Sequence, residues 1–141
     1  MDAIDIVRDG EPDRQTLLIV DDDRDWTNIL KRFFADKYHV QVVNSAHNVV
    51  DLVRRQQPSV IIVDLVMPSI DGFGVIYRLN DSSPVRIPTI LLTGWKTAEV
   101  EECAASVGCA AVLSKPVDLP LLDEVVSEVM SRRALASVAV M

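Results

Sequence analysis

Cysteine is scarce in this chain, with two in 141 residues, Cys103 and Cys109. Six positions apart and with no second pair, they supply neither a zinc framework nor a disulfide scaffold. Reduced, semi-buried thiols are the expectation. Also absent is any apolar run long enough to span a bilayer, so no membrane association is expected. The opening stretch MDAIDIVRDGEPDRQ is acidic and polar, unlike a secretory signal, and a cytoplasmic location is the default. Basic residues are not in excess, and the formal net charge is −7. Neutralising phosphates needs a basic face, so direct nucleic-acid binding is not expected. No internal repeat is visible.

What is present reads as one globular domain. The chain is 49% apolar and 25% charged, an ordinary balance. A chain of this size can bury roughly 68–70% of its unfolded surface and needs no covalent staples. Residues 1–14 mix charges with Gly10 and Pro12 and read as a flexible leader. The regular part runs from 15 to 133, and residues 134–141 are a small, apolar tail that extends the last helix, docks on a partner or frays.

Five short apolar runs predict buried strands: Leu17 to Val20, Val40 to Val43, Val60 to Val63, Ile87 to Leu92 and Ala110 to Leu113. Helical spacing alternates with them. Trp26, Ile29, Leu30, Phe33 and Phe34 form one apolar stripe; Ala46, Val49, Val50 and Val53 form a second. A shorter helix from about Gly72 to Asn80 carries Phe73, Ile76 and Leu79. Val100, Cys103, Ala104 and Val107 form the fourth stripe, and Leu122, Val125, Val126, Val129 and Met130 the fifth. Asp118 is placed to cap the last helix, Gly108 to end the fourth, and Asn80 to Pro84 reads as a polar loop. Five strands alternating with five helices predict a doubly wound parallel α/β sheet covered on both faces.

Such sheets bind ligands beyond the carboxyl ends of their strands. The residues that follow the apolar runs are therefore informative. Asp21, Asp22 and Asp23 follow the first, Asp64 the third, Thr93 and Gly94 the fourth, and Ser114, Lys115 and Pro116 the fifth. Asn44 and Ser45, after the second, read as a loop or cap. Taken singly, each has a plain structural explanation. Asp23 suits an N-cap, Thr93 a strand-end hydroxyl, Lys115 a solvated charge, Pro116 a turn, and Asp64 a cap for the turn that follows it. Gathered at one sheet edge, the carboxylates would repel each other unless a hard cation with oxygen ligands joined them. Magnesium suits one or two carboxylates plus waters and phosphate oxygens. Lys115 adds a compact positive charge and Thr93 a hydroxyl donor. These are parts for phosphoryl transfer to a carboxylate nucleophile.

The segments LLIVDDD, IIVDLVMPSIDGF, ILLTG and LSKP together resemble the four signatures of bacterial two-component response-regulator receiver domains of the stand-alone, single-domain type. The resemblance covers about residues 15 to 133. It implies a flavodoxin-like (βα)5 fold with a five-stranded parallel sheet of order 2-1-3-4-5. It implies that Asp64 is the phosphoacceptor, with Mg2+ held by Asp21, Asp22, Asp64 and the backbone carbonyl of Val66, and with Asp21 acting through water. Thr93 would turn its hydroxyl toward the phosphoryl group, Lys115 would pair with the Asp64 carboxylate or the phosphate, and the Lys115–Pro116 bond would be cis. The implied donor is a histidine kinase or a histidine phosphotransfer protein, docking near the first helix. The implied readout is a downstream partner or a homodimer on the fourth helix, fifth strand and fifth helix, with no output domain in this chain. The protein would not be a conventional enzyme but a phosphoacceptor with at most slow self-dephosphorylation.

Three departures from the family pattern stand out. Val112 holds a place that often carries a switching aromatic, so a switch here would be read through the backbone of Thr93 to Thr97 or through another side chain. Val66 has no side-chain hydrogen bond to offer an attacking water. Trp95, two residues past Thr93, packs on the fourth helix, shields the site or anchors a partner. Three other functions compete. A phosphatase of the haloacid dehalogenase type needs a second aspartate two residues after the nucleophile, where this chain has Val66. A degenerate receiver would not need the full set of acids, threonine and lysine. A transcription factor would need a basic recognition helix.

Overall fold

A computed structural model describes residues 14–45, 47–65, 72–82 and 87–140. The strands are β1 (Thr16–Val20), β2 (His39–Val43), β3 (Val60–Asp64), β4 (Thr89–Thr93) and β5 (Ala111–Ser114). The helices are α1 (Arg24–Phe34), α2 (Val49–Gln56), α3 (Gly72–Ser82), α4 (Ala98–Ser106) and α5 (Leu119–Val140). All strand pairings are parallel, as the alternating pattern predicted, and the order is β2-β1-β3-β4-β5, as the family resemblance implied.

Burial follows from strand position. β3 and β4 are buried at every residue, while β2 and β5, at the edges, are only partly covered. Strand side chains alternate between faces, so each strand feeds two cores. Leu17, Ile19, Ile62, Ile90 and Leu92 meet Leu30 and Phe34 of α1 and Leu122, Val126 and Met130 of α5. Leu18, Val20, Ile61, Val63 and Leu91 meet Val49 and Val53 of α2, Val75, Ile76 and Leu79 of α3, and Ala104 of α4. Full burial of a side chain such as Phe34 or Leu30 stabilises the fold by about 1.5–3 kcal/mol.

The helix ends carry the expected signals. Asp23 caps α1 by accepting the Trp26 N–H, and Asp118 accepts the Leu121 N–H at the start of α5. Gly108 follows α4 with φ 81°. Its N–H donates to the Ala105 carbonyl and that of Cys109 to the Ala104 carbonyl, the paired bonds of a glycine-terminated helix.

Several expectations need correction. The α1 stripe is narrower than its spacing suggested. Thr27, Leu30 and Phe34 are buried, whereas Ile29 is 49% and Phe33 38% exposed, because the sheet covers only one side of the helix. Cys103 is exposed rather than semi-buried, and Cys109 is partly covered. Ile87 and Ala110 precede their strands, which run one residue further at the carboxyl end, to Thr93 and Ser114. α3 continues through Asn80 to Ser82, which are helical rather than loop, and Ser83 and Pro84 lie outside the described residues. α2 starts at Val49; Ala46, assigned to its stripe, lies outside the described residues, as does the leader through residue 13. α5 runs on to Val140, into the tail.

Candidate functional site at the strand carboxyl ends

The register brings four strand ends to one edge. Val20 lies beside Val63, Asp64 beside Leu92, and Thr93 beside Ser114. Parallel pairing thereby delivers Asp21 and Asp22 after β1, Asp64 at the end of β3, Thr93 at the end of β4 and Lys115 after β5 to a common place. Carboxylate oxygens of Asp21, Asp22 and Asp64 all lie within 4.8 Å of one another.

Asp21 is the most constrained of the three, at 2% exposure. Its Oδ1 accepts the Asp23 N–H at 3.0 Å, and its Oδ2 accepts from Lys115 Nζ at 2.9 Å. Lys115 also lies 3.3 Å from Asp64 Oδ1, and Asp64 is 8% exposed. Burial works to lower the Lys115 pKa, but hydrogen bonds and charge from Asp21 and Asp64 outweigh it and raise the value above that of a free lysine. Lysine therefore stays charged and offsets one of three acids. The remaining two negative charges, from oxygen-only donors, match a hard divalent cation in kind and number, so the residues present fit Mg2+. Asp22, which is exposed, opens this cluster to solvent.

Thr93 is buried, and its Oγ1 accepts the Trp95 N–H at 3.0 Å. That bond occupies a lone pair and leaves the hydroxyl hydrogen free to donate. Trp95 itself is 77% exposed. Val112 is partly buried against the α2–α4 side of the core. The Lys115–Pro116 peptide is cis. A groove of about 300 Å³ lined by Asp23, Trp26, Lys115, Pro116 and Val117 opens beside the site. Val66, assigned a metal-binding carbonyl, lies outside the described residues.

Three contributors escaped the sequence reading. Gly72 opens α3 against the end of β3, and its N–H donates to the Leu65 carbonyl. A Cβ there would stand 2.5 Å from the Asp64 carbonyl oxygen and 2.8 Å from Leu65 Cα, so only glycine fits without moving Asp64. The other two are Asn44 and Thr27, which meet behind Asp21. The GF pair after the acid gave a faint signal for Gly72; Asn44 was read only as a loop or cap residue, and nothing in the sequence marked Thr27.

Comparison with known proteins agrees with this arrangement. Residues 17–127 match the response regulator receiver domain family. An uncharacterized 14.6 kDa protein of Leptolyngbya boryana is 33% identical over 104 residues, covering 72% of this chain and 79% of that one. A CheY-like response regulator receiver domain protein from Methanospirillum hungatei superposes with a TM-score of 0.81 at 21% identity, over 87% of this chain and 98% of that one. The chemotaxis protein CheY4 of Vibrio cholerae gives 0.74 at 23% identity, over 82% and 98%. The chain belongs to the response regulator receiver domain family of two-component systems. The family is mainly a phosphoacceptor signalling module rather than a conventional enzyme, and its members interact with kinases and downstream partners. Among the described residues no helix is long and apolar enough to cross a membrane.

Proposed function

We propose that this receiver domain accepts a phosphoryl group on Asp64 from a phosphohistidine of a histidine kinase or phosphotransfer protein, in a step that requires Mg2+. The observation that carries this reading is the convergence of Asp21, Asp22 and Asp64 within 4.8 Å, with Lys115 bridging two of them. A carboxylate oxygen of Asp64 attacks phosphorus; the O–P bond forms, the N–P bond to the donor imidazole breaks, and the imidazole leaves with the bonding pair. Asp21, Asp22, Asp64 and the Val66 carbonyl would hold Mg2+, which supplies charge neutralisation on the phosphoryl oxygens. Lys115 then shifts from carboxylate to phosphoryl oxygen, and the Thr93 hydroxyl donates to another. The groove beside Lys115 and the half-exposed Ile29 and Phe33 of α1 support docking of the donor there.

Signalling follows from a two-state element biased by the acyl phosphate. With Val112 in place of an aromatic, the readout runs through Thr93–Trp95 and the face formed by α4, β5 and α5, which takes a downstream protein or a second copy. Hydrolysis returns Asp64 and inorganic phosphate, slowly, because Val66 presents no polar side chain to water and Trp95 stands beside the site. A cytoplasmic setting fits this chemistry.

Intact-mass analysis after incubation with acetyl phosphate and Mg2+ tests the proposal. Wild type gains one phosphoryl group, and the gain disappears in Asp64→Asn and on chelation. No gain in folded wild type would favour a phosphate-independent binding module.

A further inference from the structure

Asp21 is held from behind by a side chain outside the motifs of the site. The β1–β2 ladder ends with Val20 beside Val43, and the Asp21 N–H still finds the Val43 carbonyl at 3.1 Å. Beyond that point β2 ends, and the ladder supplies no further donor for the Asp21 carbonyl. Asn44 fills the gap: its Nδ2 donates to the Asp21 carbonyl oxygen at 2.9 Å. The same Nδ2 donates its second hydrogen to Thr27 Oγ1 at 3.1 Å, and Thr27 Oγ1 donates to the Arg24 carbonyl at 3.1 Å. A primary amide nitrogen has two hydrogens, and both are used. The chain of bonds therefore joins the end of β1 to the first turn of α1, the two anchors of the loop that carries Asp21, Asp22 and Asp23.

We infer that Asn44 and Thr27 are positioning residues for the acidic loop, holding Asp21 and Asp22 at the spacing that a divalent cation needs. The inference rests on the proposed metal-dependent phosphorylation of Asp64. The chemistry of the link is specific. The Asp21 carbonyl is an acceptor only, so Asn44 must present nitrogen to it. Thr27 is fully buried and its hydroxyl both accepts and donates, so serine can serve and valine cannot. The Asp21 N–H stays on the Val43 carbonyl, so losing the Asn44 amide releases only the carbonyl side of Asp21, from which Asp22 and Asp23 continue. Groups that orient metal ligands from behind typically change metal affinity about 10–100-fold when removed.

The test uses the full chain and three measurements on Asn44→Ala, Thr27→Val and Thr27→Ser. The first is the Mg2+ dissociation constant by titration calorimetry. The second is the phosphorylation rate with acetyl phosphate as a function of Mg2+. The third is amide hydrogen exchange at Asp21 and Asp23 in EDTA. Asn44→Ala and Thr27→Val should weaken Mg2+ binding by about tenfold or more. Their maximal phosphorylation rate at saturating Mg2+ should stay near wild type, and Thr27→Ser should restore affinity. Exchange at Asp21 and Asp23 should quicken in the metal-free Asn44→Ala protein. A merely structural link would lower the unfolding midpoint and leave Mg2+ affinity within about twofold of wild type, which overturns the inference. If Asn44→Ala fails to fold, the Thr27→Val and Thr27→Ser pair decides by the same criteria. A wild type that binds no Mg2+ overturns the proposed function instead; exchange in EDTA then still reads the link, and unchanged rates in the variants reject it.

Discussion

Neutralising Asp22 should stabilise the metal-free protein while abolishing its response to Mg2+. Asp22 lies within 4.8 Å of the Asp21 and Asp64 carboxylates, and Lys115 is paired with Asp21 and Asp64. At 4.8 Å two like charges repel by about 3.5 kcal/mol at an effective dielectric of 20 and about 0.9 kcal/mol in water. Asp22 is exposed, so the value nearer water governs, and Lys115 offsets part of it. Asp22→Asn should therefore raise the unfolding free energy in EDTA by about 1 kcal/mol, a midpoint rise of about 3 °C, and less than half of that in about 0.5 M salt. Magnesium reverses the order. At about 100 times its dissociation constant it should stabilise wild type by about 2.7 kcal/mol and leave the variant nearly unmoved. Urea titrations followed by circular dichroism, with EDTA and then with Mg2+, read both effects. A variant less stable than wild type in EDTA, or one stabilised by Mg2+ as strongly as wild type, would refute the reasoning.

Gly72→Ala must push α3 away from β3, since backbone atoms of Asp64 and Leu65 meet the new Cβ at 2.5 and 2.8 Å. A loss of about 1–3 kcal/mol in urea denaturation and a phosphorylation rate lower by about tenfold or more are expected. Cys109 and Cys103 should differ in alkylation. Burial pushes the Cys109 thiol up to about 11, so near pH 8 only about one molecule in a thousand carries its thiolate, whereas Cys103 is exposed. Timed iodoacetamide labelling with mass mapping should modify Cys103 first, with the Cys109 rate rising about tenfold per pH unit toward 11. Hydrolysis of the phosphorylated protein, followed by intact mass, should quicken several-fold in Val66→Asn and in Trp95→Ala; rates unchanged in both would remove the explanation for slow turnover.

Much of this was legible from residue order because a parallel sheet converts order into place. Asp21, Asp22, Asp64, Thr93 and Lys115 each follow an apolar run, and parallel pairing carries every run to the same edge. The caps at Asp23, Asp118 and Gly108 followed from equally local signals, whereas the strand order came only from the family resemblance. What was hidden depends on distances between elements. Periodicity could not say how wide a face of α1 the sheet covers, and Ile29 and Phe33 of its apolar stripe stand half-exposed. Lys115 was expected to serve Asp64, yet its shorter contact is with Asp21, 94 residues earlier. Asn44 and Thr27 belong to different elements and touch only after β1, β2 and α1 assemble. Gly72 is required by a close approach to β3, which its place after the acid signals only faintly.

The central claim is that Asp64 is the nucleophile. Borohydride reduction of the protein after treatment with acetyl phosphate and Mg2+, followed by peptide mapping, tests it most directly, because hydride converts an aspartyl phosphate to homoserine and leaves free carboxylates unchanged. Homoserine at position 64 alone, absent when Mg2+ is chelated, is the predicted result. Homoserine at Asp21, Asp22 or elsewhere, or a phosphoryl group that borohydride does not displace, would contradict the account.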